Sequence, residues 1–378
     1  MSNGFFFPRS GAAVARVAAL ALTLALVVLP ACGGPSAART SATQTSVATP
    51  AVTATPSNPT VRQVFEQGVA YPKWGTHVYG VNDSSWPASV QSMRDQTNAR
   101  WVEMIVSLDQ NGYSATNVYA GSDTISPDAL YVGILAARQA GLNVFIEPLL
   151  NVHNESDNWS GWVTFSTAAQ AQLWFQSYWA AYQPYVKVAK AAGAGQISIG
   201  AEYDTLQTQY PDQWKWLTHQ VKAAFGGPIT YDVNHSLMGQ KAPAWMKDPE
   251  LSAIGVSMYY SLLQAPRDLT VAQIEALWKS TVLPQLDALS AQVGKPVILT
   301  EIGYRNASDA LYDPWTWHTR APADPALQGA AYTAALAMAA GDRHIAGLYF
   351  WAWGSGQFQP AAPAIQALHD AWARPVAV

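Results

Sequence analysis

The sequence is poor in charge and nearly free of cysteine. Only 12% of its 378 residues are Asp, Glu, Lys or Arg, against ~25% in an ordinary soluble domain. The net charge of -4 offers no basic face for nucleic acid and no acidic tail. A single cysteine, Cys32, excludes a disulfide framework and a thiolate metal site. The seven histidines show no His-x-x-x-His ligand spacing, so neither metal nor other cofactor is expected. No glycine-rich phosphate loop follows the first candidate strand, which argues against a dinucleotide-binding open sheet. No internal repeat is found.

What is abundant is aromatic. The chain holds 16 Trp and 17 Tyr. Such rings pack cores, and their faces also take the apolar faces of sugars.

The first 60 residues read as export machinery. Arg9 and Arg16 precede an uncharged run from Val17 to Pro30, followed by Ala31-Cys32-Gly33-Gly34. A positive start, an apolar segment and a small residue before a cut site make a secretory signal. Leu29-Pro30-Ala31-Cys32 resembles a bacterial lipobox, with Pro30 an unusual residue in it. The expectation is lipid modification of Cys32, hence a membrane anchor and a cell-surface location. The alternatives are a signal simply cleaved or an uncleaved anchor, and each still means export. Residues 33–60, dominated by Ser, Thr, Ala and Pro, carry no periodic apolar pattern and read as a disordered tether.

From residue 61 to 378 short apolar strands alternate with amphipathic helices. The strand candidates are Gly75–Val81, Trp101–Ser107, Asn143–Leu149, Gln196–Ala201, Ile229–Val233, Ile254–Tyr260, Val297–Glu301 and Gly347–Trp353. Helices are expected over Pro127–Ala140 and Ala168–Ala191, closed by Gly141 and Gly193. Strands separated by helix-length sequence imply a parallel β/α arrangement, and eight is the number that closes a (β/α)8 TIM barrel.

The active site of such a barrel lies at the C-terminal strand ends. Glu202 follows the fourth apolar strand and Glu301 ends the seventh. A strand interior needs neither, so each is functional or paired with a surface base. Two carboxylates across a cleft are what glycosidic cleavage requires, about 5–5.5 Å apart for retention and about 6.5–9.5 Å for inversion.

Glutamates after strands four and seven are the mark of clan A glycoside hydrolases. More narrowly, the chain resembles glycoside hydrolase family 113, the β-mannanases, from about Gly75 to Ala340. The resemblance rests on Trp101-Val102, on Ala140-Gly141-Leu142-Asn143-Val144 leading into Glu147-Pro148, and on Ile199-Gly200-Ala201-Glu202. It continues through Pro228-Ile229-Thr230-Tyr231 to Asn234, Ile254-Gly255 to Tyr259-Tyr260, and Gly294-Lys295-Pro296 to Thr300-Glu301-Ile302-Gly303-Tyr304.

The resemblance implies a retaining hydrolase of β-1,4-linked mannan, with Glu202 as acid/base, Glu301 as nucleophile and no cofactor. It also implies that a tyrosine at the end of strand six donates to the nucleophile. Both Tyr259 and Tyr260 stand there; strict alternation from Ile254 selects Tyr260. Trp351 is expected to floor the subsite of the cleaved sugar, with Trp353 on the same strand face. Asn234 is a candidate partner for sugar hydroxyls, or else a turn-forming Asn. Asp109, Gln110, Asn151 and His153 are rim candidates. Trp74, His77, Trp159 and Trp162 are candidates for an extended groove.

Three positions depart from the family. Ala201 stands where clan A enzymes commonly have an Asn before the acid/base. Glu103 occupies a strand that often carries an Arg supporting the nucleophile. Glu147 adds a further acid, and unpaired acids raise each other's pKa. The expected partner is a poly- or oligosaccharide, and the chain is expected to act as a monomer. A non-catalytic glycan-binding lipoprotein is the alternative, and a structural envelope protein a third. Two glutamates and an aromatic mouth weigh against both.

Overall fold

The computed structural model describes residues 65–374, Val81 excepted. The signal at 1–32, Cys32 and the tether at 33–60 lie outside the described residues.

The described part is a closed barrel. Its strands are β1 (Glu66–Ala70), β2 (Trp101–Asn111), β4 (Asn143–His153), β5 (Gln196–Ala201), β6 (Ile229–Asn234), β7 (Ile254–Ser257), β8 (Val297–Ile302) and β9 (Ile345–Phe350), with the short β3 (Val118–Tyr119) between β2 and β4. The hydrogen-bonded order β1-β9-β8-β7-β6-β5-β4-β2 closes on itself through the β1–β2 pair, and β3 hangs antiparallel on the outer end of β2. Every pairing within the ring is parallel. This is the expected TIM barrel.

The outer helices are α1 (Trp86–Thr97), α2 (Pro127–Gln139), α3 (Ala168–Ala192), α4 (Asp204–Gln209), α5 (Pro211–Phe225), α6 (Val271–Leu277), α7 (Leu283–Val293), α8 (Pro325–Gly341) and α9 (Ala362–Ala371). Local chemistry sets their ends. Ser126 caps α2 by accepting from the Ala129 N–H, with Pro127 at the first helical position. Thr167 caps α3 through the Gln170 N–H, and Gly193 closes it at φ 77°.

The first strand differs from its expected place. It is Glu66–Ala70, whereas residues 75–80 form turns. The strand EQGVA is not apolar enough to read as one: Glu66 points into the barrel floor, and Gln67 bonds Arg100 Nε and the Arg374 carbonyl on the other side. Glu66 Oε2 accepts from the Tyr349 hydroxyl at 2.7 Å and from Gln196 Nε2 at 3.4 Å. Gly68 admits the Tyr349 ring, since a Cβ there would lie 2.2 Å from its Cδ1. The sequence between β6 and β7 also differs from the expected pattern. It forms the 3-10 turns His235–Leu237 and Ala244–Lys247 instead of an α-helix.

One fold detail aims the site. β5 loses regular register against β6 between Ser198 and Ala201. Carbonyls freed by such an irregularity need donors. Tyr178 and Tyr182 of α3 supply them, donating to the Ile199 and Ser198 carbonyls at 3.0 and 2.9 Å. The packed helix thus holds the bend from which Glu202 emerges.

Candidate active site at the barrel mouth

Glu202 follows the bend directly, at φ 58°. A non-glycine residue in the left-handed region carries strain that the surroundings must hold. They do so from both ends of the residue. The Glu202 N–H donates to the Asp232 carbonyl at 3.0 Å. Its carboxyl, only 6% exposed, accepts from Trp159 Nε1 at 2.7 Å on Oε2 and from Asn234 Nδ2 at 2.6 Å on Oε1. Asn234 is itself fixed, because its Oδ1 accepts the Ser236 N–H at 2.8 Å. Burial pushes the Glu202 carboxyl above its ordinary range, and the Trp159 and Asn234 donors oppose that rise.

Glu301 is the penultimate residue of β8, buried across the mouth. Its donor is Tyr259, whose hydroxyl reaches Oε2 at 3.0 Å. Alternation had selected Tyr260, which is only half-buried. The reason is local: β7 stops at Ser257, its register against β8 shifts between Gly255 and Ser257, and the Tyr259 N–H turns back to the Ser257 carbonyl at 3.1 Å. The period of two ends with the strand. Burial pushes Glu301 well above the carboxylate range, and charge on Glu202, Glu147 and Asp232 pushes it further; Tyr259 opposes them.

Beneath the pair lies a layer of acids without bases. Glu103 and Glu147 are fully buried. Among the described residues none of their four carboxyl oxygens has a hydrogen-bond partner. Two carboxyls buried without donors favour their neutral forms. Burial raises both well above the usual carboxylate range. Asp232 accepts from the Ser257 and Thr300 hydroxyls, both at 2.6 Å, and burial followed by Glu202 charge raises it to about 8. Asp204, at the start of α4, is raised by burial to about 7.

Aromatic rings fill the rest of the mouth. Trp351 packs with Tyr259, Phe358, Ile105 and Ala70, and Trp74, Trp315 and Trp317 border them. Trp351 is 2% exposed, and its buried indole N–H has no acceptor among the described residues. Trp353 does not share this face. It packs in the layer between barrel and helices, because β9 ends at Phe350 and alternation ends with it. Asn151 donates to Ser107 Oγ at 2.7 Å and to Asp109 Oδ1 at 3.0 Å, and His153 Nε2 lies 3.3 Å from the same Asp109 oxygen. These rim candidates form one network on the extended ends of β2 and β4. Gln110 faces the other way and accepts from Trp174 of α3 at 2.6 Å. His77 is exposed in a turn.

Some site residues escaped the sequence reading. Asp232 hides within an apolar strand. The only signal for it is its place two residues before Asn234, which puts both on one strand face. His235 stacks on Trp315 with centroids 5.7 Å apart, and burial lowers its imidazole to about 4.

Residues 74–371 match the model of glycoside hydrolase family 113. The chain belongs to that family. It is a glycoside hydrolase. Its fold is similar to that of a family 113 β-1,4-mannanase at 19% identity and TM-score 0.69, over 82% of this chain and 99% of the other. A family 113 β-mannanase from Alicyclobacillus acidocaldarius is similar at 20% identity and TM-score 0.69, over 82% of this chain and 97% of that one. A β-glucuronidase from Ruminococcus gnavus shares the fold at 12% identity and TM-score 0.55, over 82% and 50% of the two chains. No curated protein matches the sequence.

Within this glycoside hydrolase the departures from the family have visible consequences. Ala201 carries no amide, and the donors to Glu202 come from Asn234 of the neighbouring strand and from Trp159. Glu103 puts a buried acid where a base would have stood. Among the described residues one trio has ligand atoms close enough for a common ion: Asp287, Asp342 and His344. It lies at the opposite end of the barrel, before β9, and His344 Nδ1 already bonds Asp287 Oδ1 at 2.7 Å.

Proposed function

We propose that this hydrolase cleaves β-1,4-linked mannan with retention, Glu202 acting as acid/base and Glu301 as nucleophile. One observation carries the reading: two buried carboxyls end β5 and β8 at one mouth, each held by donors from other elements. Glu301 attacks the anomeric carbon while Glu202 passes its proton to the leaving oxygen. The bond from anomeric carbon to leaving oxygen breaks as the glycosyl ester forms. Glu202, now ionised, takes a proton from water, which attacks the anomeric carbon and releases Glu301. Tyr259 steadies the Glu301 oxygen in both steps. Trp351, at the centre of the mouth, supplies the surface under the cleaved ring. Mannan is favoured by the family and by the two β-mannanases of like fold.

The test is hydrolysis of β-mannan, glucomannan, xylan and β-glucan, with the first product followed by proton NMR. The expected result is β-configured product from mannan. An α-anomer as first product would overturn retention, and cleavage of another glycan alone would overturn the substrate. We also propose export with a lipid-modified Cys32, which suits a substrate too large to enter a cell. Cys32→Ser should release the enzyme from membranes, and its persistence there would contradict lipidation.

A further inference from the structure

The acid/base of a glycosidase must meet the leaving-group oxygen, yet both Glu202 oxygens are already occupied. Asn234 is locked as a donor by Ser236, and an indole N–H can only donate. Each oxygen keeps a second lone-pair site, so the leaving oxygen can meet Glu202 while Trp159 still holds Oε2.

Trp159 belongs to a built loop. Its ring requires Gly161, where a Cβ would lie 2.4 Å from Trp159 Cζ2. Thr205 Oγ1 of α4 donates to the Gly161 carbonyl at 2.8 Å. The Trp159 N–H donates to Asp157 Oδ1 at 3.1 Å, and the Tyr113 hydroxyl donates to the Asp157 carbonyl. Trp162 meets Trp159 edge-on, with centroids 5.3 Å apart and planes at 89°. The Trp162 side chain lies beside the Asp157 carboxyl. That ring is 51% exposed, unlike the buried Trp351 near Glu301 and the core tryptophans. An anchored but uncovered indole beside the acid/base, away from the nucleophile's own aromatic group, faces where a leaving sugar must sit.

We propose that Trp159 and Trp162 build the leaving-group side of the site: Trp159 is a positioning residue that holds Glu202 Oε2 while Glu202 passes its proton to the leaving sugar's oxygen, and Trp162 is the platform for that sugar. This rests on Glu202 being the acid/base, not on the sugar being mannose. The charged groups that act with Glu202 are Glu147 of β4, Asp204 of α4, Asp232 of β6 and Glu301 of β8, all acids. Trp159 thus acts against a field that already opposes ionisation.

The experiment compares Trp159→Phe, Trp162→Ala and Trp162→Phe with wild type on mannotetraose and on β-mannobiosyl fluoride, which places no sugar on the leaving side. Should the glycan panel select another sugar, the matching tetraose and fluoride are used, so a failure of the mannan reading leaves this test intact. Trp159→Phe keeps the ring and removes the donor. The alkaline limb of kcat/KM should move up by about 1 pH unit. For Trp162→Ala the ratio of kcat/KM on tetraose to that on fluoride should fall about 10-fold through KM, with Trp162→Phe restoring most of it. An unmoved alkaline limb, or equal losses on both substrates, would overturn the proposal. Should Trp159→Phe not fold, the Trp162 pair decides by the same ratio.

Discussion

Glu202 and Glu301 sit at the same mouth but in different company. Glu202 has two neutral donors on opposite oxygens and a backbone turned into the left-handed region. Glu301 lies within strand β8, with the Tyr259 donor and three acids that raise it. A group that must gain and lose a proton within a cycle benefits from donors that moderate its burial. A group that must attack carbon needs its charge uncovered, with one donor to aim it. The raised setting of Glu301 is relieved when the acids beneath it hold their protons. Burial raises Glu103 and Glu147 well above the usual carboxylate range and Asp232 to about 8, which favours that condition near neutrality.

Removing each carboxylate in turn breaks this comparison most severely. Glu301→Ala should lower kcat by about 10⁴-fold or more with the fold retained by circular dichroism. Added azide should then give the inverted α-glycosyl azide, because the open face is the nucleophile's. Glu202→Ala should lose about 10²–10⁴-fold on glycans and far less on a β-glycosyl fluoride, and azide should yield the β-product. Azide products of the opposite configurations would exchange the two roles.

A smaller change sharpens the contrast in donors. Tyr259→Phe removes a hydrogen bond to a charged group, about 1.5–3 kcal/mol, so kcat/KM should fall roughly 10- to 100-fold. Tyr260→Phe should change it by less than about twofold. Equal effects of the two would return the donor to the residue that alternation selects.

The smallest effect concerns stability. Glu66, Glu103, Glu147 and Asp232 all have raised pKa values in the fold, Glu66 at about 7 and Asp232 at about 8. The folded state then binds more protons than the unfolded chain. Stability is greatest below the unfolded carboxylate range and falls as pH rises toward the folded values, by about 1.4 kcal/mol per pH unit for each group in its window. The double variant Glu103→Gln, Glu147→Gln should melt on the order of 5 °C above wild type at pH 8, and the gap should close near pH 4. A constant gap across pH would mean that the pair does not titrate with folding.

Those contrasts also mark what was legible in the chain. Seven of the barrel strands and both glutamates could be read because apolar runs ending in a carboxylate have no structural reason to exist. Glu66–Ala70 could not, since its polar side chains are satisfied by Tyr349 and Gln196 for Glu66 and by Arg100 and the Arg374 carbonyl for Gln67, all far away in sequence. Tyr259 and Trp353 were misplaced for one reason: periodicity holds only while the strand does, and both lie past its end. The Trp159–Glu202 bond spans 43 residues and depends on a loop packed on α4. No local pattern carries that.

The division of labour between the carboxylates is tested most directly by trapping. The enzyme is incubated with 2-deoxy-2-fluoro-β-mannosyl fluoride, whose fluorine slows both steps and whose good leaving group lets the ester accumulate. Peptide mass spectrometry then locates the adduct. The account predicts one glycosyl group on the peptide carrying Glu301. An adduct on Glu202, or inactivation without an adduct, would contradict it.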